Sequence, residues 1–216
     1  ARAHKLHQQA HICDWNSINK DRKLIPKLGT SKKSVNPFSM LSLEDSPERH
    51  HIRSKIYAKN TFPQNPIPLI NKPLKKPERI RIGYFSSDFT NHPVAYLISK
   101  VIETHNRGKF EIFAYSLFRC KEDDLRKRLK NSFDVFKDVS QLSDREVAVL
   151  CRQDNIDIAI DLNGYTQNSR SSIFAYRAAP IQINYLGYAG TMGASFIDYI
   201  IADQFLIPPD NQNYFT

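Results

Sequence analysis

Between residues 80 and 102 the apolar pattern changes period, and that change limits the fold more than any other stretch. Ile80, Ile82 and Tyr84 alternate with Arg81, Gly83 and Phe85, a period of two that specifies a strand. From Val94 the apolar residues fall at Val94, Leu97, Ile98, Val101 and Ile102, the spacing of one helix face. Between the two patterns, Ser86, Ser87 and Asp88 supply short hydrogen-bonding side chains for a turn. Asn91 is a candidate helix cap, and Pro93 suits the first helical turn, where no backbone N–H is needed. Asp88 and His92 are thereby placed in a strand-to-helix loop, at the edge where open α/β sheets bind ligands.

The same alternation continues downstream. Residues 110–117 read as a strand, 122–130 as a charged, exposed helix and 133–138 as a short strand. Ser143 caps a helix to residue 153, with Val147, Leu150 and Cys151 facing inward. Residues 156–162 read as a strand, followed by the loop Asn163-Gly164-Tyr165-Thr166 and a helix over 169–177. A strand over 181–188 leads into Ala189-Gly190-Thr191-Met192-Gly193, and 197–202 form a last strand. This order predicts an α/β protein with a mostly parallel sheet and helices on both faces.

Residues 1–25 read as the end of a helical array. Residues 26–78 read as a linker with one helix, which Ser46 caps and Pro47 opens. Five prolines between 61 and 77 make a stiff connector into the α/β lobe over 79–216. The formal charge of +9 sits in the N-terminal part: residues 1–81 carry 17 Lys and Arg against 6 Asp and Glu, residues 82–216 carry 14 against 16. Lys72, Lys75 and Lys76 lie among prolines, so a solvated linker explains them better than a base-stacking nucleic-acid face. No run approaches the roughly 18 apolar residues of a membrane span. The start, Ala1-Arg2-Ala3-His4, has neither an initiator Met nor an apolar signal region, so the chain is expected to be a fragment or processed product. Cys13, Cys120 and Cys151 lack metal-ligand spacing and are expected to be reduced thiols of a cytoplasmic protein. His7 and His11 lie at i, i+4 without further ligands, which fits a solvated helix face, and no metal set is visible.

Of seven glycines, Gly164, Gly187, Gly190 and Gly193 fall in two strand-exit loops. Glycine there allows unusual backbone angles and close approach of N–H groups to a ligand, so turn formation and ligand binding both remain open. Neither a Walker motif nor a GxGxxG fingerprint is present. His92 is either a loop histidine near a helix start or a donor to an anion at that helix N-terminus. Asp88 could orient it or act as a base. Asp161, at another strand end, equally suits binding a loop amide.

Several ordered motifs carry a resemblance. Asp88-Phe89-Thr90-Asn91-His92-Pro93, Asn163-Gly164-Tyr165-Thr166, Ala179-Pro180-Ile181-Gln182 and Leu186-Gly187-Tyr188-Ala189-Gly190-Thr191-Met192-Gly193, with Asp198-Tyr199-Ile200, resemble the catalytic region of O-linked N-acetylglucosamine transferases and SPINDLY-like, tetratricopeptide-containing protein O-glycosyltransferases. The resemblance begins near Ile12-Cys13-Asp14-Trp15 and continues to the C-terminus; Val35-Asn36-Pro37-Phe38-Ser39-Met40-Leu41 looks closer to bacterial members. It implies the Rossmann-like N-terminal lobe of a GT-B glycosyltransferase, preceded by helices and a Pro-rich linker. It implies transfer of a sugar, GlcNAc first among those relatives use, from a UDP-sugar to Ser or Thr of acceptor proteins, with inversion and without an essential metal or other cofactor.

By the same resemblance His92 contacts the donor's phosphate or sugar, and Asp88 shapes the site. Pro93 and Val94 border sugar and acceptor. Leu186, Gly187, Met40 and Leu41 line the sugar pocket, and the loop of Asn163, Gly164 and Thr166 joins the same edge. Residues 1–25 would end a repeat array that presents acceptors. Two departures stand out. Phe38 occupies a position where animal members carry histidine. The family's uridine site and catalytic lysine belong to a second lobe beyond this sequence, so the isolated chain is expected to be inactive. The alternative reading is a non-catalytic binding or scaffold module that keeps the lobe's shape.

Overall fold

A computed structural model of the chain describes residues 2–62, 65–68 and 78–215. Most of the Pro-rich connector expected over 61–77 lies outside the described residues. The described residues form two compact units: one from 2–62, 189–195 and 202–215, the other from 65–68, 78–188 and 196–201.

The second unit is built on a six-stranded, wholly parallel sheet in the order β3-β2-β1-β4-β5-β6. The strands are β1 (Ile80–Ser86), β2 (Phe110–Ser116), β3 (Val135–Asp138), β4 (Ile158–Asp161), β5 (Ile181–Tyr185) and β6 (Tyr199–Ile201). Four helices lie in its connections: α4 (Pro93–Thr104), α5 (Asp124–Ser132), α6 (Asp144–Gln153) and α7 (Ser172–Ala175). Ile82 and Tyr84 of β1 pack with Ile112 and Ala114 of β2, and with Ile98, Ile102, Leu125 and Leu129 of α4 and α5. The alternate residues of β1 face the other side, where Phe85 stacks on Tyr115 at 4.6 Å and meets Phe174 of α7 edge-on. Both faces of the sheet are therefore covered, as a parallel sheet requires, and the expected α/β lobe is present.

Several sequence-based bounds change. The apolar runs at 156–162, 181–188 and 197–202 exceed the ladders they contain, because an apolar run reports burial, whereas a strand stops where its neighbour's pairing stops. Ile156, Leu162, Tyr188 and Ile197 are buried outside the strands. The helix expected over 169–177 contracts to Ser172–Ala175, bounded by left-handed backbone at Asn168 (φ 58°) and Arg177 (φ 62°). The helix expected to be exposed over 122–130 is α5, capped by Asp123, and it buries Leu125, Arg126 and Leu129.

The first unit is helical. Its helices are α1 (Arg2–His11), α2 (Trp15–Asp21) and α3 (Pro47–Thr61), with 3-10 turns at Arg22–Lys27, Pro37–Met40 and Pro209–Tyr214. Cys13 takes φ 56° and separates α1 from α2. Ser46 and Pro47 open α3 as expected, the Ser46 hydroxyl accepting from Arg49 N at 3.4 Å. Ala3, Leu6, Ile18, Ile25 and Met40 form the core. Arg53 of α3 is fully buried beside it, donating to Leu28 O (2.7 Å) and Ile25 O (2.9 Å) and pairing with Glu44 (2.6 Å). One long cation thus holds the end of the 3-10 turn at Arg22–Lys27, satisfying Leu28 O and adding a second bond to Ile25 O, which also accepts from Leu28 N at 3.1 Å.

Candidate active site

In the second unit the strand order reverses direction at the β1–β4 boundary, the switch point where doubly wound sheets form a ligand crevice. Two loops leave the sheet there. The first runs from Ser86 to His92, the second begins at Asn163. The Asn163 side chain joins them. Its Oδ1 accepts from Ser87 N (2.8 Å), and its Nδ2 donates to Ser87 Oγ (2.8 Å) and Asp88 Oδ2 (2.7 Å). Thr166 Oγ donates to Asn163 O at 3.0 Å and closes the second loop on itself. Asp88 N donates to Ser86 Oγ at 2.9 Å. Asp88, Asn163, Gly164 and Thr166 are thus gathered at one corner, and Asp161 binds loop amides, accepting from Asn163 N (2.9 Å) and Gly164 N (3.0 Å).

His92, not Asn91, is the N-cap of α4. Its Nδ1 accepts from Val94 N at 3.3 Å, and Pro93 takes the first helical position. Asn91 instead uses its Oδ1 to accept from the Tyr96 hydroxyl at 3.0 Å. An imidazole that accepts at Nδ1 carries its proton on Nε2, so the cap leaves a donor on the half-exposed face of the ring. Asp88 Oδ2 lies 4.0 Å from Nδ1, beyond hydrogen-bond range, and its bond is to Asn163. The carboxylate therefore shapes the loop instead of relaying a proton through the ring. The corner offers an N–H donor beside a helix N-terminus, a combination suited to an anion.

A tie to α5 fixes the first loop from outside, and the sequence reading missed it. Asp123 caps α5 by accepting from Arg126 N (2.8 Å), and its other oxygen accepts from Asn91 N (2.7 Å) and the Thr90 hydroxyl. Those bonds, the Thr90 hydroxyl first, hold its carboxyl below the ordinary aspartate range. Buried Arg126 donates to Phe89 O (3.0 Å) and Ser116 Oγ (3.1 Å) and lies over the Phe136 ring at 5.1 Å. The available signal was Asp123 three residues before Arg126, with Leu125 and Leu129 one turn apart.

Leu186 and Gly187 follow β5. Leu186 has φ 77°, and Gly187 N donates to Tyr185 O at 3.1 Å, a bond between residues two apart that makes a γ-turn of the strained hand. At Gly187 a β-carbon would stand 1.9 Å from Leu162 O, so only glycine lets β5 exit against the end of β4. A bulky residue held at positive φ marks a locally strained site. Gln182, at the start of β5, is a structural knot: it accepts from Ala178 N and Ala179 N and donates to Phe174 O and Phe196 O. Its own N–H goes to Asp198, which pairs with Arg177 at 2.8 Å. The motif residues Gln182 and Asp198 thereby join β5 to β6.

Met40 and Leu41 belong to the first unit. Met40 is fully buried in that unit's core. Leu41 lines a cavity of about 550 Å³ with Glu44, His50, Thr191 and Phe215 among its walls. His50 Nε2 bonds Glu44 O at 2.8 Å, and burial holds its pKa below the usual histidine value. Among the described residues no cluster of three His, Cys, Asp or Glu side chains is arranged to hold a metal, and no helix is long and apolar enough to cross a membrane. The three cysteines are unpaired thiols, with Cys13 exposed and Cys151 buried.

Fold and corner together define a Rossmann-like lobe with its ligand edge at the switch point. Residues 12–216 match Glycosyl transferase family 41, and the chain belongs to that family. A UDP-N-acetylglucosamine–peptide N-acetylglucosaminyltransferase of Caenorhabditis elegans is 39% identical over 225 residues, covering 95% of this chain and 19% of that protein. An Arabidopsis thaliana relative is 45% identical over 131 residues, covering 61% of this chain and 13% of its own. A solved structure of a mutant O-GlcNAc transferase from Thermobaculum terrenum superimposes with a TM-score of 0.72 at 32% identity, over 90% of this chain and 35% of that one. The lobe is thus that of a GT-B glycosyltransferase. The chain spans less than a fifth of the length of these curated relatives.

Proposed function

We propose that this chain is the N-terminal catalytic lobe of a protein O-glycosyltransferase, which moves a sugar from a UDP-sugar to Ser or Thr hydroxyls of acceptor proteins. The observation that carries the reading is the Asn163-bridged corner at the switch point, with the His92 Nε2 proton directed away from its cap bond. In the reaction the acceptor hydroxyl oxygen attacks the anomeric carbon and gives up its proton to solvent or to the departing diphosphate, the bond from that carbon to the phosphate oxygen breaks, and UDP leaves. Negative charge grows on the diphosphate as that bond breaks. A neutral imidazole N–H and the α4 N-terminus stabilise it most where the charge is developing. Asp88 holds the loop through Asn163 and is assigned no proton. Leu186 and Gly187 present backbone and side chain to the sugar, and Pro93 and Val94 border it and the acceptor. GlcNAc is the donor sugar of the names that the relatives carry, and it is the sugar proposed here.

Further parts of the reading are that α1 and α2 close a tetratricopeptide-like array that presents acceptors, that a second lobe completes the site, and that the protein works in the cytoplasm, where nucleotide sugars are available and thiols stay reduced. The test is a donor panel. The protein carrying this chain is incubated with acceptor protein and UDP-GlcNAc, UDP-glucose or GDP-fucose, and intact acceptor mass is read. A HexNAc increment on Ser or Thr is expected from UDP-GlcNAc. No increment from any nucleotide sugar overturns the reading.

A further inference from the structure

We propose that Asp161 is held as a carboxylic acid in the folded chain in mildly acidic solution, that its proton bridges to Asn184 Oδ1, and that this acid–amide pair positions the turn carrying Asn163. Asp161 ends β4 and is 2% exposed. Both strand-exit amides, Asn163 N and Gly164 N, bond the same oxygen, Oδ1. Oδ2 is equally buried and meets no donor among the described residues. On the adjacent parallel strand Asn184 is the register partner of Asp161, so the two side chains leave the sheet on the same face. Asn184 is fully buried as well, and its Oδ1 is also unpaired.

Two buried acceptors on neighbouring strands lack a donor among the described residues, an arrangement that is costly for each group left unsatisfied. Turning the Asn184 amide over does not supply one without loss. Its Nδ2 is directed to Asp161 O at 3.4 Å, and reversal would set an oxygen against that carbonyl. A proton on Asp161 supplies the donor and removes a buried charge in one step.

The surroundings agree. On the same face β1 brings Phe85 and β2 brings Tyr115. The Tyr115 hydroxyl donates to Asp154, and burial pushes it and Cys151 of α6 upward, so both stay neutral. Ser171, just ahead of α7, donates to Gly164 O at 3.2 Å. Among the described residues no charged group contributes to the environment of Asp161, and burial, opposed by the Gly164 and Asn163 amides, pushes its pKa up to about 6. Sharing the proton with Asn184 favours the neutral form further. The acid–amide pair stands on this geometry alone. Its consequence for catalysis rests on the function proposed above: the turn it holds carries the Asn163 amide to Ser87 and Asp88.

The test is a carbon-NMR titration of the chain with labelled aspartate, Asp161 being assigned through the Leu162 amide so that no variant needs to fold. A carboxyl midpoint at or above about 6 is expected, and one in the ordinary range near about 4 overturns the acid. Asp161→Asn offers Asn184 an amide donor in the same shape. It should abolish the loss of stability that the natural chain shows as pH rises through that midpoint, and an Asp161→Asn chain with the same loss overturns the bridge. In the protein carrying this chain, the donor KM should rise through the same midpoint, and Asp161→Asn should remove that rise. A flat KM profile with a high midpoint overturns the positioning role. Failure of all transfer sinks the functional reading and the positioning role together, whereas the acid–amide pair is decided by the titration.

Discussion

Asn163 acts through one short side chain on two loops. Its amide satisfies a backbone N–H, a hydroxyl and a carboxylate at once, and in a buried setting each lost partner costs more than a surface bond would. Asn163→Ala is expected to lower stability by about 1–3 kcal/mol, read as a shift in urea midpoint. It should also raise donor KM in the protein carrying this chain, because Asp88 loses its tether. Leu186 presents the opposite trade. Its positive φ costs about 1 kcal/mol or more, and glycine adopts that angle freely. Leu186→Gly therefore trades relief of that angle against the packing of the Leu186 side chain on the sheet core, and it is expected to cost less stability than the roughly 2–5 kcal/mol of an ordinary buried leucine truncation while weakening donor binding; a full truncation cost would argue against stored strain. The sequence exposed Asn163 and Leu186 as members of motifs. It hid what they do, because the partner of Asn163 lies 76 positions away in the chain and the γ-turn at Leu186 has no glycine at its central, positive-φ position to announce it.

Among elements, the α4–α5 pair governs the loop between Ser86 and His92. Asp123 caps one helix and clamps the other's entrance. Asp123→Ala should remove about 1 kcal/mol of capping stability and speed hydrogen exchange at the Asn91 and Arg126 amides, and unchanged exchange at Asn91 would contradict the clamp. The sign with pH follows from the lowered carboxyl pKa: the contribution is present above the ordinary aspartate value and is lost as pH falls through the folded one. The strand–loop–helix at 80–102 was legible because its period changes sharply from two to 3.6. The α5 region was misjudged because Arg126 and Lys130 read as a solvated charged face. Arg126 is buried through carbonyl, hydroxyl and aromatic partners contributed by other elements, and no local pattern encodes those.

For the whole molecule, the α/β class and the gathering of motif loops at one sheet edge followed from the βα alternation, since parallel crossovers put successive strand exits on the same side. The packing of residues 26–62 into a helical unit did not. Its anchors, Arg53 on two carbonyls and Met40 in the core, come from segments that look like a polar linker by composition. Stability of the chain as a function of pH should show two limbs. One falls toward acid as Asp123 and similarly lowered carboxylates protonate. The other is the decline that Asp161 contributes as pH rises through its pKa of about 6, because a raised folded pKa contributes stability that is complete below the unfolded value and lost above the folded one; it is set against the rise that His50, His51 and His105, whose pKa values burial lowers, contribute over the same range. Thermal unfolding across this range checks both, and Asp161→Asn should erase the second limb alone.

The central claim is that the corner closed by Asn163 and capped by His92 is half of a glycosyl-transfer site. Its most direct measurement compares kcat for GlcNAc transfer by the protein carrying this chain with that of its His92→Ala variant, at matched folding by circular dichroism. A loss of about 100-fold or more is expected if the Nε2 proton stabilises charge on the departing diphosphate. Unchanged turnover in a folded His92→Ala protein would contradict it.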